Sequence, residues 1–165
     1  MKNGSANLQA RVDRRLVEAY SEIQNRTVKI LRRDLEREKG FLEAETVEID
    51  FGKDRVSVNN KESFSASDRV ILKNSVHLAL LAASLLKEFL NYPRFLLLDN
   101  VEDKGMEPAR SHNFLKLIVD LSNSSGVDHQ IIFTTSMIDP ELEESELTVG
   151  EYYRHGSKCL KLEGV

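Results

Sequence analysis

The sequence is poor in the residues that staple a chain together or break it up. A single cysteine, Cys159, stands among 165 residues. That excludes an internal disulfide, and with no CxxC pair and no clustered Cys and His there is no sequence-level zinc site. The three prolines and eight glycines are scattered, which excludes a collagen-like or linker-dominated chain. Apolar runs are short, such as Leu78 to Ala83 and Phe95 to Leu98, and fall well below the roughly 20 residues that cross a bilayer. No secretory signal opens the chain. These absences lead us to expect a soluble, cytoplasmic protein with no membrane partner. What is present is a hydrophobic fraction of 41% and a charged fraction of 30%, enough for one domain with a sizeable core held by packing.

The net charge of −4 is unevenly spread. Residues 1–40 carry a surplus of four positive charges, and residues 41–165 a surplus of eight negative ones. A basic segment of this kind suits a nucleic acid or an acidic partner, and equally a solvated helix face.

Residues 1–6 read as a polar, flexible leader. From Asn7 the apolar positions Leu8, Val12, Leu16, Ala19, Ile23, Thr27 or Val28, Ile30 or Leu31 and Leu35 recur every three or four residues to Lys39, where Gly40 acts as a stop. The spacing predicts one helix over 7–39, about 50 Å long at 1.5 Å per residue. Its narrow stripe between Arg- and Glu-rich faces fits the end of a coiled coil, or a long surface helix. Residues 40–165 form the remaining unit. Alternation over Phe41–Phe51 and Arg55–Asn59, with Gly52-Lys53-Asp54 between, predicts a β-hairpin. Ser65 or Ser67 is a candidate N-cap for an apolar helix over Val70–Leu90, ended by Tyr92-Pro93. Arg94–Leu98 and Gln130–Thr134 lack alternation, the pattern of strands covered on both faces, and a helix over Pro108–Ser122 lies between them. Strand, helix, strand in that order predicts a βαβ unit and an α/β fold with both polar strand ends on one side, the side where such folds bind ligands. The tail is expected to hold a short acidic helix over Asp139–Leu147 and a hairpin over Glu151–Leu162.

Three clusters could carry chemistry. Asp99, at the end of an apolar strand, could hold Mg²⁺, although Asp-Asn is also ordinary turn chemistry. Ser63, Ser65 and Ser67 at a helix start combine free backbone N–H groups with hydroxyls, a combination that accepts phosphate, or simply caps the helix. Thr134, Thr135 and Ser136 end the second strand, where hydroxyls could bond a terminal phosphate or satisfy the strand end. His77, His112, His129 and His155 show no metal spacing, no nucleophile triad is supported, and Cys159 reads as inert.

Taken in order, the coiled-coil-like helix, the serine-led helix start, the strand ending in Asp and the strand ending in Thr-Thr resemble the C-terminal half of an ABC-type ATPase head. The nearest likeness is to the SMC and DNA-repair coiled-coil branch. On that resemblance FSASD at Phe64–Asp68 occupies the signature motif and FLLLD at Phe95–Asp99 the Walker B motif. Gly105-Met106-Glu107 stands near the D-loop, and Thr135 at the switch position usually filled by histidine. The likeness spans roughly residues 8–138. It implies a P-loop NTPase-like lobe using ATP and Mg²⁺, with Asp99 serving the metal. Ser65 and Ser67 would meet phosphate across a head–head dimer, and Thr135 would sense the terminal phosphate. The implied partners are an N-terminal half of the head, a second head and DNA.

The departures are specific. Ala66 and Ser67 replace the signature glycines, leaving Ser65 as the donor that carries over cleanly. Asn100 stands where the family places a catalytic glutamate. Being neutral, Asn100 cannot take a proton from water, so that role is lost or passes to Glu102 or Asp103. No GxxxxGK[ST] occurs, so the phosphate-cradling loop is missing and the chain alone is expected not to hydrolyse ATP. The competing reading is a non-catalytic interaction or dimerisation module derived from such an ATPase, pairing through the 7–39 helix. A receiver-like domain needs several acidic strand ends and a later lysine, and only Asp99 is well placed for one.

Overall fold

The computed structural model describes residues 2–150. The expected hairpin over Glu151–Leu162, with His155 and Cys159, lies outside them. Helix α1, Lys2–Leu31, is longer at its start and shorter at its end than the sequence predicts. The leader expected to be flexible belongs, from Lys2 onward, to the helix. Leu8, Val12, Leu16 and Val17 stand in solvent, whereas Ala19, Ile23, Thr27, Ile30 and Leu31 are buried. After Leu31 the amides of Arg33 and Asp34 bond to Ile30 O and Leu31 O, three residues back, which tightens and ends the helix. Arg32 Nε bonds to Ala44 O at 2.7 Å. The chain turns so that Phe41, in the short helix α2 (Lys39–Leu42), becomes fully buried. Gly40 therefore sits inside α2 instead of stopping a helix over 7–39.

Strands β1 (Val47–Asp50) and β2 (Arg55–Val58) form the expected antiparallel hairpin, pairing Val47 with Val58 and Asp50 with Arg55. Asp54 takes the left-handed conformation the turn needs (φ 49°). Asn59 ties the hairpin back, accepting from the Glu45 and Thr46 amides and donating to Glu43 O.

Helix α3, Ala66–Leu86, is the central core element, with Ile71, Leu78, Ala79, Leu81 and Ala83 at 0 or 1% exposure. It is the one helix among the described residues long and apolar enough to cross a bilayer, and most of it is buried inside the protein. Ser65 caps it, and it ends at Leu86, short of the expected Leu90. Strands β3 (Phe95–Leu98) and β4 (Gln130–Phe133) pair in parallel, Phe95 opposite Gln130 and Leu98 opposite Phe133. Helix α4, Pro108–Asn123, crosses between them with proline in its first turn and Phe114, Leu115, Leu117 and Ile118 in the core. The α/β class and the βαβ unit are therefore present.

One expectation about the strands fails. Leu96 and Leu98 are buried, but Phe95, Leu97 and Ile132 are 42%, 55% and 42% exposed. Among the described residues the parallel sheet has two strands, and its second face has no layer over it. A final short helix, α5 (Pro140–Glu143), is capped by Asp139 and covers part of the predicted acidic helix.

Candidate functional site

The parallel pairing carries the ends of β3 and β4 to one edge and ties them together there. Thr134 Oγ1 donates to Asp99 Oδ1 at 2.7 Å and accepts the Asn100 amide at 2.8 Å. The Val101 amide bonds to Thr134 O, and the Thr134 amide to Leu98 O. Asn100 adopts a left-handed backbone (φ 56°), which asparagine tolerates better than most residues, so the chain turns sharply after the strand. Asp99 and Asn100 are exposed. Oδ2 of Asp99 has no hydrogen-bond partner among the described residues. One free carboxylate oxygen at a sheet edge suits Mg²⁺, which usually takes one or two carboxylates and completes its shell with water and phosphate. No group of three or more His, Cys, Asp or Glu side chains able to hold a metal forms among the described residues.

Glu102, at 5% exposure, lies beneath this edge. Its Oε1 accepts the Ser136 amide, fastening the loop after β3 to the loop after β4. Its Oε2 is buried without a partner. Burial works against its charge, but the Ser136 amide and the nearby Thr135 and Ser136 hydroxyls outweigh it and hold the carboxyl below its ordinary range. Those hydroxyls do so without closing a bond to Oε2. Thr135 Oγ1 accepts the Met137 amide at 3.0 Å. Asn74 of α3 donates to Val101 O at 3.3 Å, linking the central helix to the same loop. Among the sequence-nominated residues, then, Asp99, Asn100, Glu102 and Thr135 share one edge, joined by Thr134.

Ser65 and Ser67 form a separate cluster at the start of α3. Ser65 Oγ accepts the Asp68 amide at 3.2 Å and donates to Asp68 Oδ2 at 2.5 Å. The Ser67 hydroxyl lies 3.3 Å from that of Ser65. Asp68 Oδ1 accepts from Arg110 Nη1 at 2.7 Å, and the other edge of that guanidinium grips both oxygens of Asp34. Burial again opposes the Asp68 charge, and the Ser65 hydroxyl and Arg110 overcome it, so this carboxyl too titrates below its ordinary value. No hydrogen bond joins Ser65 to Asp99 among the described residues.

Asn74, Asp68, Arg110 and Asp34 are the site-building residues the sequence reading did not nominate. Of these Asp68 alone had a signal, as the last residue of FSASD, while Thr134 stood among the three strand-ending hydroxyls already singled out. Two cavities of about 350 and 360 Å³ lie elsewhere. The first is lined by Tyr20, Asp50 and Arg55, the second by Arg26, Arg33 and Leu117.

Fold and site together define a mixed α/β protein with a polar parallel-sheet edge. Beyond that class, no protein-family model matches the chain and no curated protein matches it.

Proposed function

We propose that the chain is the C-terminal lobe of a P-loop ATPase head of the ABC/SMC kind, binding and hydrolysing ATP at a composite site between two heads and acting on DNA. The observation that carries this reading is the joined end of β3 and β4, where an exposed Asp99 with one free oxygen stands beside Thr134 and Thr135. The bare apolar face of Phe95, Leu97 and Ile132 supports it further, because parallel sheets are ordinarily covered on both faces and an N-terminal half would supply that cover. In this reading Asp99 holds Mg²⁺, which neutralises phosphate charge when bound, and Thr135 faces the terminal phosphate. Ser65, with Ser67 beside it, meets the phosphate bound by the facing head. Glu102 is the least supported as a base. It is buried, already accepts a backbone amide and has a depressed pKa, so it is better placed to hold the two loops together.

That same engagement of Glu102, with the neutral Asn100 next to Asp99, favours the second reading, a non-catalytic interaction module derived from such a head. The test is to combine the chain with an N-terminal half carrying GxxxxGK[ST] and measure ATP turnover for wild type and Asp99→Ala. Turnover in the wild-type mixture that disappears in Asp99→Ala is the expected result. Equal, negligible turnover in both leaves the interaction module.

A further inference from the structure

A chain of hydrogen bonds runs from the Ser65 hydroxyl to the end of α1. Ser65 donates to one oxygen of Asp68, and Arg110 holds the other. Arg110 reaches Asp34 with Nε and Nη2, at 3.1 and 2.5 Å. Asp34 is anchored by its own amide to Leu31 O, the last turn of α1. Side-chain exposures of 4% for Arg110, 5% for Asp34 and 11% for Asp68 put the whole ion triad out of bulk water. Two carboxylates here share one cation, so each competes for the guanidinium.

The Ser65 proton is thereby committed. While it points at Asp68 Oδ2 it cannot point at a phosphate, and turning it outward leaves Oδ2 without its donor. Arg110 can replace that donor by turning Nη2 from Asp34 to Asp68 Oδ2, so that one edge of the planar fork spans both Asp68 oxygens, as an ammonium cannot; Asp34 is then left with the longer Nε contacts alone. We infer that Arg110 is a positioning residue, which turns the Ser65 hydroxyl inward while its Nη2 holds Asp34 and frees it to turn outward when Nη2 swings to Asp68, loosening the hold on Asp34. Engagement at Ser65 and the hold on the end of α1 are then reciprocally linked. The identity of the anion, an ATP phosphate, rests on the proposed function. The hydrogen-bond chain does not.

Amide hydrogen exchange on the full chain without nucleotide tests the link. Ser65→Ala removes the donor to Asp68, so the Arg33 and Asp34 amides at the end of α1 should exchange about tenfold faster, an ordinary coupling strength. Ser65→Thr, which keeps the hydroxyl, should restore the wild-type rate. In an Arg110→Lys background Ser65→Ala should have no further effect there. A purely structural cap would behave differently, speeding exchange only in the first turn of α3, at Asp68 and Arg69. That result, with Arg33 and Asp34 unchanged, overturns the proposal. Should Ser65→Ala unfold the chain, Ser65→Gly carries the same comparison, because glycine replaces a serine cap at little cost. Absence of ATP turnover in the recombined head would count against the nucleotide reading and leaves these exchange rates as the judge of Arg110.

Discussion

Arg110 sits between two carboxylates at 3% exposure, so truncating it strands two buried negative charges. Removing one partner of such a buried pair costs about 3–5 kcal/mol, and Arg110→Ala should lower the urea unfolding free energy by that amount. The pH dependence follows from Asp68. Its folded pKa lies below the unfolded value of about 3.9, so the unfolded state binds more protons between the two. Its stabilisation is complete above the unfolded value and is lost as pH falls through the folded one. Unfolding midpoints measured from pH 5 downward should therefore fall less steeply in Asp68→Asn than in wild type. None of this was legible in the sequence. Arg110 carries no motif there, and its partners lie 42 and 76 positions away. Asp99 was legible, because a four-residue apolar strand ending in a carboxylate is a local pattern.

Among the elements, α1 shows how periodicity can be right while boundaries are wrong. Leu8, Val12, Leu16, Ala19, Ile23, Thr27 and Ile30 follow intervals of four, four and three, an 11-residue repeat close to the pitch of a straight helix. One stripe thus runs unbroken from the exposed half of α1 into the half buried against α3. Only tertiary contacts separate the halves, and only they set the end at Leu31, where burial of Phe41 and the grip on Asp34 outweigh a pattern that continues to Leu35. Leu16→Gln should change the stability of the isolated chain by no more than about 0.5 kcal/mol, whereas Ile23→Ala should cost about 2–5 kcal/mol. Urea titration of both variants checks the contrast. The start of α3 was more legible than its end, since Ser65 caps it through a side-chain bond to Asp68, whereas no side chain marks the stop at Leu86.

For the whole molecule, the decisive feature is a parallel sheet covered on one face. The lack of alternation in Phe95–Leu98 and Gln130–Phe133 predicts strands covered on both faces, whereas within the described residues Leu96 and Leu98 are buried and Phe95, Leu97 and Ile132 stay exposed. A run of four apolar residues shows that each position tolerates burial but not which face is covered, so the exposed face could not be read from the sequence. Leu97→Gln should leave the chain folded by circular dichroism and weaken its capture of an N-terminal half by at least about tenfold, in line with the loss of one central apolar contact. The most direct measurement is calorimetric ATP binding to the recombined head, with and without Mg²⁺. The expected result is binding that requires both halves and is strengthened by Mg²⁺, with the Mg²⁺ dependence gone in Asp99→Ala. Binding that ignores Mg²⁺, or that survives Asp99→Ala unchanged, would contradict a nucleotide site at the joined ends of β3 and β4.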